Sequence, residues 1–441
     1  MPHTLKTIPM NPQQTLFSGV VLPDDDVLTR CMHCGLCLPV CPTYAITGRE
    51  KSSPRGRIRL IKSVAKGTLG YTDGFIEEMN FCLDCQACET ACPAGVKYGS
   101  LVESARNQIR TEQKGSFISR SVKWFFIRQV LSKKNSLQFF ASMLRMYQRS
   151  GIVSLFHRSV LLQKLFPKLT ALQDLAPKID ERPFDELYPE IIAPPGTIKY
   201  RVGFLTGCVM NSAFAGVHED TVKVLLHHDC EVVMPKQQVC CGSLQAHNGD
   251  FETSRSLAKT NIDIFLSYDL DAIIMNSAGC GALMKEYAFF FRNDPIYEQK
   301  AQLISSKIKD LSEFLTAIGL KRPPQEFPHS VSYHDACHLV HSQKISREPR
   351  MVIQSITGVL YKEMDEASWC CGSAGIYNVV RHSDSMQILA RKVLQIQAVD
   401  VEYLVASNPG CIAQLDYGIT KNGMKTKIVH LATLLRMAYR L

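Results

Sequence analysis

The sequence predicts a chain of mixed α+β and α/β class, with a small cysteine-rich unit, a basic helical linker and a tandem duplicated α/β unit built on parallel sheets. Three observations predict it. The eight cysteines of residues 20–112 fall into two runs of one pattern, C-x2-C-x2-C-x3-C-P. Residues 113–195 hold no cysteine and carry apolar residues at helical spacing. The other nine cysteines lie in residues 196–441, where eight of them recur at offsets of 129 to 131 residues.

Bulk properties narrow the function classes. A chain of 441 residues predicts two or three domains, and 46% hydrophobic with 21% charged residues describes a globular protein. No apolar run is long enough to predict a membrane-spanning helix. The opening MPHTLKTIPMNPQQTLFSGV has no apolar stretch after its charges, so no secretory signal is expected. The expected location is cytoplasmic, with a peripheral position on the inner face of the cytoplasmic membrane as its variant. In a reducing compartment seventeen cysteines point to metal rather than disulfides. The formal charge of +9 counts thiols as neutral; two four-iron clusters near −2 each would leave about +5. Nucleic-acid binding is not expected.

The first unit, residues 20–112, rests on CMHCGLCLPVCP at 31–42 and CLDCQACETACP at 82–93. This is the bacterial ferredoxin-type run, in which three closely spaced cysteines wrap one cluster and the fourth, followed by proline, ligates the other. That rule gives one [4Fe-4S] cluster Cys31, Cys34, Cys37 and Cys92, and the other Cys82, Cys85, Cys88 and Cys41. Zinc also takes four cysteines, but two complete runs, each ending in Cys-Pro, favour iron. With four thiolates each, neither cluster keeps an open position, so both read as electron carriers. His33 reads as a loop residue. The basic SSPRGRIRLIK at 52–62 has two readings: cations that favour cluster reduction, or a solvated helix start.

The linker, residues 113–195, contains VKWFFIRQVL, LQFFASMLRMYQ and IVSLFHRSVLLQKLF. Residues 110–168 carry twelve Lys or Arg against one acid, Glu112. Interleaved Trp124, Phe125, Phe126, Phe139, Phe140, Phe156 and Phe166 suggest a surface for anionic lipid. Two alternatives stand: aromatics filling a core beneath a solvated charged face, or docking to a partner subunit. APPGTIKY at 193–200 reads as the link to the last region.

There, Cys208 matches Cys337, Cys240 and Cys241 match Cys370 and Cys371, and Cys280 matches Cys411. The flanks match too. YRVGFLTGC and SVSYHDAC are strands running into a cysteine, as are DAIIMNSAGC and VEYLVASNPGC. DTVKVLLHH and PRMVIQSIT are helices leading to the strands EVVMP and VLYKEM. Alternating strand and helix predicts two parallel-sheet units, residues 196–320 and 321–441, with cysteines just after strands, where such sheets bind ligands. Each set of four could hold a cluster or zinc, act as a thiol redox site, or be retained for packing. Cys230 has no counterpart and reads as a core thiol. His334 and His338 flank Cys337, and a polar loop explains them more simply than a ligand role. No GxGxxG follows a strand; Gly279-Cys280-Gly281 lacks the third glycine.

CMHCGLCLPVCPTY at 31–44, PRGRIRLIK at 54–62, CLDCQACETACPAGVKY at 82–98, SAGCGALMKEY at 277–287 and CCGSAGIY at 370–377 together resemble the iron–sulfur subunit of bacterial glycolate oxidase (glycolate dehydrogenase) across essentially the whole chain. The resemblance implies a subunit of an oxidoreductase complex. A partner FAD-containing subunit oxidises glycolate to glyoxylate, a second flavin-type subunit accompanies it, and this chain passes electrons toward a quinone or another acceptor. The iron–sulfur subunits of anaerobic glycerol-3-phosphate dehydrogenase and of lactate-oxidising complexes share the module order. A metal-binding scaffold that assembles flavoproteins without carrying electrons is the alternative of another class. The related heterodisulfide-reductase modules use a fifth cysteine for a non-cubane cluster; Leu283 and Gln414 stand at that position here, which leaves the occupancy of both sites open.

Overall fold

The two cysteine runs leave three stretches free to form helices, Pro54–Ala65, Asp73–Phe81 and Tyr98–Thr111. Local chemistry sets two of their starts. Ser53 caps the first by accepting from the Gly56 amide at 3.0 Å, with Pro54 at the first helical position, and Thr72 caps the second through the Phe75 amide at 3.2 Å. Ile61, Val64, Phe75, Met79, Leu101 and Val102 meet between the helices in one small core. A computed structural model of the chain describes residues 25–112, 121, 124–153, 158–159, 164–165 and 167–441.

Among the described residues the C-terminal region forms two sheets. Strands β1 (Ile191–Ile192), β2 (Tyr200–Phe204), β3 (Cys230–Val233), β4 (Ala272–Met275) and β5 (Ile308–Asp310) lie in the order β1-β3-β2-β4-β5. Strands β6 (Ser330–His334), β7 (Leu360–Tyr361), β8 (Tyr403–Ala406) and β9 (Lys427–Val429) lie in the order β7-β6-β8-β9. Every pairing is parallel except β1 with β3. Without β1 the two orders are the same, and the registers agree: Val202 pairs with Val232 and Ala272, as Val331 pairs with Tyr361 and Tyr403. The duplication read from cysteine spacing is therefore a duplication of topology. All four residues of β4 are buried, as befits a parallel strand covered on both faces.

In each unit the chain runs from the first strand to one neighbour and then crosses to the other side. The C-terminal ends of β2 and β4, and of β6 and β8, thus flank switch points where open α/β sheets bind ligands. One continuous core spans both units, from Val202, Phe204 and Ile274 to Val331, Leu404 and Leu435. Their strand ends are joined by the Ala278 amide donating to the Ser407 carbonyl at 3.1 Å and by a His430–Asn276 carbonyl bond at 2.9 Å.

Strand β1 lies before APPGTIKY and closes the edge of the first sheet. Two isoleucines are too short a signal for any period to show. In the linker, Phe125–Val130 is a π-helical turn and Lys134–Arg149 a helix with no buried residue. The stretch IVSLFHRSVLLQKLF, with Phe156 and Phe166, falls largely outside the described residues. No described helix is long and apolar enough to cross a membrane.

Candidate functional site

Both cysteine runs turn in the same way. His33 and Gly35 in the first, and Asp84 and Gln86 in the second, all have φ between 55° and 91°, in the left-handed region. Three of these four are not glycine, so the surroundings must hold an unfavourable backbone. Cys31, Cys34, Cys37 and Cys92 line one pocket open to solvent, with Cys88, Arg55 and Tyr98 also at its wall. Arg55 fixes this loop by donating to the His33 carbonyl at 3.0 Å and pairing with Glu50 at 2.7 Å. Cys34 is exposed, as are Met32 and Leu36 beside it.

Cys41, Cys82, Cys85 and Cys88 are buried. Burial pushes the Cys85 and Cys88 thiols well up, and neighbouring sulfurs including Cys41 and Cys82 add to it. A metal binding there must displace those protons. The donors suit an anionic cluster: the Asp84 amide lies 3.3 Å and the Tyr98 hydroxyl 3.5 Å from Cys82 Sγ. Arg57 is fully buried, donating to Thr43 Oγ1 at 3.0 Å and the Glu78 carbonyl at 2.8 Å. The solvated-helix reading of SSPRGRIRLIK therefore fails for Arg57, which has no exposed surface, and holds for the exposed Arg59. Eight cysteines in two such loops fit a pair of four-iron clusters.

The second loop is wedged between the two α/β units. From the first, His247 Nδ1 lies 2.6 Å from Glu103 and 3.2 Å from Asp84, while Arg106 donates to the His247 carbonyl at 2.8 Å. From the second, His338 donates to the Asp84 carbonyl at 3.1 Å and Ser342 to Gln86 at 2.6 Å. The two imidazoles stack over Asp84, 4.7 Å apart and 4° from parallel. Although burial opposes it, hydrogen bonds to Asp84 and Glu103 push His247 up to about 10. Burial and the His247 charge push His338 down to about 4. Gly249 (φ 77°) lies so close to this helix that an added Cβ would sit 2.5 Å from the Arg106 backbone. Cys85 packs with Phe81 and Leu83 against Trp369, Cys370 and Cys337 of the second unit.

The strand ends gather each set of four cysteines. In the first unit Cys240 Sγ lies 3.4 Å from Cys208 Sγ, and hydrogen bonding with Cys208 and Cys241 draws Cys240 well down. The Cys241 bond draws Cys280 down as well. In the second unit Cys337 is pushed well up by its bond to Cys370 and by burial. Cys371, despite an opposing bond from Cys370, is held up by Cys411 and burial. The glycine after each pair is required: Gly242 and Gly372 both have φ 90° and lie against Ser254 and Ser385. Gln414 is buried and spent on Asn378 and Ser385, and Leu283 packs in the first core, so neither replaces a fifth cysteine. Cys230 is buried in the core.

His334 corrects the polar-loop reading. It is the last residue of β6 and fully buried, because the strand runs one residue further than the polar HDAC suggests. His338 opens a π-helical turn and is spent on Asp84. The core-filling reading fails for Trp124, Phe125, Phe126 and Phe139, which are 42–62% exposed, while Phe140 is half-buried and Phe156 and Phe166 lie outside the described residues. Among the described residues there, Arg128 pairs with Glu252, Lys134 with Asp185 and Arg149 with Glu181.

Family profiles match in the same order as these structures: a 4Fe-4S dicluster domain at 27–96, the linker region of the glycolate oxidase iron–sulfur subunit at 119–176, and a cysteine-rich (CCG) domain at 202–285 and 331–416. A probable glycolate oxidase iron–sulfur subunit of Bacillus subtilis (strain 168) is 38% identical over 93% of this chain and 94% of its own. The chain belongs to the glycolate oxidase iron–sulfur subunit family. The Escherichia coli (strain K12) glycolate oxidase iron–sulfur subunit is 29% identical over 89% of this chain and 91% of its own. Lactate utilization protein A of Shouchella clausii (strain KSM-K16) is 28% identical, over 53% of this chain and 98% of its own. In this family member, sequence reasoning missed His247, Glu103 and Lys392; the acid and base that meet at Asp84 are too far apart in sequence for any spacing rule to join them.

Proposed function

We propose that this chain is the electron-carrying subunit of a glycolate-oxidising complex. Cys31, Cys34, Cys37 and Cys92 would hold one [4Fe-4S] cluster, and Cys82, Cys85, Cys88 and Cys41 the other, within residues 20–112. Bound there, the clusters supply one-electron carriers. The observation that carries the reading is the pair of four-cysteine loops, one open to solvent at Cys34 and the other buried against the second α/β unit, in a chain whose linker matches that of glycolate oxidase iron–sulfur subunits. Exposed Met32, Cys34 and Leu36 form the face through which a partner would exchange electrons. Buried Arg57, the Tyr98 hydroxyl and the Asp84 amide offset negative charge on the sulfurs.

In this reading an FAD-containing subunit oxidises glycolate to glyoxylate, a second flavin-type subunit completes the complex, and a quinone or other acceptor takes the electrons. The exposed aromatics of the linker, residues 113–195, would rest on the inner face of the cytoplasmic membrane. The α/β units, residues 196–320 and 321–441, carry the remaining cysteine sites. Lactate as the partner's substrate is the second reading, motivated by the lactate utilization relatives.

Anaerobically prepared protein should contain about eight irons and eight labile sulfides. Its electron paramagnetic resonance signal should appear on adding glycolate and the co-purifying flavoprotein. Protein without labile sulfide overturns the electron-carrying reading. Reduction by lactate and not by glycolate transfers it to the second substrate.

A further inference from the structure

The second α/β unit contains a group of donors that its twin lacks. Among the described residues, His334, Cys371 and Cys411 bring one ligand atom each within 4.8 Å of one another, and all three are buried. His334 has no exposed surface, and neither ring nitrogen makes a well-formed hydrogen bond. A buried polar atom left unpaired costs about 1–3 kcal/mol, so an imidazole held this way signals a missing partner.

The geometry points to one metal ion. Bond lengths of about 2.0–2.3 Å place the donors of a tetrahedral zinc site roughly 3.3–3.8 Å apart, and the observed spread is within about 1 Å of that. Cys370, hydrogen-bonded to Cys371 and Cys337 and outside that trio, would turn its thiol toward the ion to give the fourth donor. By contrast, Cys31, Cys34, Cys37 and Cys92 line a pocket that opens to solvent.

The first unit serves as an internal control. Leu205 occupies the position 129 residues before His334, after the same strand. Gly242 and Gly372 rest on Ser254 and Ser385; counting from those serines, Asn261 stands where the second unit has Lys392. Both are buried. Asn261 binds the Val239 and Cys240 backbone, whereas Lys392 brings an ammonium beside Cys370 and Cys371 and donates to the Ala367 carbonyl at 3.1 Å. An imidazole and three thiolates around a divalent ion carry one net negative charge, which that ammonium offsets.

We infer that His334, Cys371 and Cys411, with Cys370, form a closed mononuclear site for a divalent ion of the zinc class, present in the second α/β unit and absent from the first. With four protein donors it has no open position and is structural, fixing the strand ends against which the Cys85 loop packs. The inference rests on these residues alone and stands apart from the electron-carrying reading.

The test is metal analysis of the full-length, anaerobically purified chain, with labile sulfide measured on the same samples. The wild type should hold one zinc-class ion per chain that survives a mild chelator. His334→Leu, which copies the first unit, should lose it and keep its labile sulfide. His334→Cys should retain an ion, and after cobalt substitution its visible spectrum should move from a mixed nitrogen–sulfur to an all-sulfur pattern. An unchanged cobalt spectrum in His334→Cys overturns the proposal, and decides the matter if His334→Leu does not fold. So does a wild type without the ion, a His334→Leu chain that keeps it, or labile sulfide that disappears with Cys411→Ser. Loss of labile sulfide from every sample, with the ion retained, overturns the electron-carrying reading and supports this one.

Discussion

The two α/β units share strand order, register and a left-handed glycine after each cysteine pair, and both touch the second ferredoxin-type loop at Asp84, yet their other contacts differ. The helix after Cys240-Cys241 grips the linker: Gln245 donates to the Ile127 carbonyl at 3.0 Å and to Ser132 at 2.9 Å. The segment after Cys370-Cys371 faces the buried ferredoxin-type loop, with Tyr377 and Trp369 against Phe81 and Cys85. Their interiors differ in step, Leu205 and Asn261 in one, His334 and Lys392 in the other. Between the two copies the scaffold is the same and the residues at its strand ends differ.

Cysteine substitution should break this symmetry most visibly. Cys85→Ser, at the junction with the second unit, should lose about half of the iron and lower glycolate-dependent dye reduction more than about tenfold. Cys208→Ser in the first unit should change dye reduction less than about twofold; a loss equal to that of Cys85→Ser would put the first unit's cysteines on the electron path. Next come the glycines. Alanine at either must adopt a left-handed backbone, but its Cβ would sit 2.7 Å from the Ser385 carbonyl at Gly372 and 2.7 Å from the Ser254 hydroxyl, which can turn, at Gly242. Gly372→Ala should cost about 3 kcal/mol and Gly242→Ala about 2 kcal/mol in urea unfolding.

The histidines that meet at Asp84 provide a pH test. His247 titrates at about 10 in the folded chain against about 6.5 unfolded. Its contribution is therefore complete below pH 6.5 and is lost as pH rises toward 10. The stability gap between wild type and His247→Gln should be on the order of 2 kcal/mol at pH 6 and close by pH 10; a gap independent of pH would show that the imidazole holds the loop as a neutral group. The smallest effect on stability belongs to the linker over the first unit. Phe139→Ser should shift unfolding by less than about 0.5 kcal/mol while weakening sedimentation with anionic vesicles. Undiminished sedimentation would remove this aromatic face from membrane contact.

The strands that run into cysteines, β2, β4, β6 and β8, were legible in the sequence, because buried parallel strands are short apolar runs with clear ends. Strands β1, β5 and β9 were not, being two or three residues long and in two cases partly polar. The eight ferredoxin-type cysteines stood out by spacing, since three ligands of one cluster come from a single loop. His334 was visible as a residue but misplaced as a loop, because a polar letter at a strand end looks like the end of the strand. Arg57 reads as solvated until the Glu78 and Thr43 that surround it are known. Sequence patterns register what is near in the chain, and both sites are completed by what is far.

Asp84 has a consequence for how the protein is made. It is held by His247, 163 positions later, and by His338, 254 positions later. During synthesis the second cysteine loop emerges long before either histidine exists, with only nearby partners such as Arg106 and Tyr98 to brace it. Until the chain has been made past His338, the burial of Cys82, Cys85 and Cys88 against the second α/β unit is incomplete. Closure of the two imidazoles over Asp84 is therefore a late step, because it waits for residues 163 and 254 positions downstream.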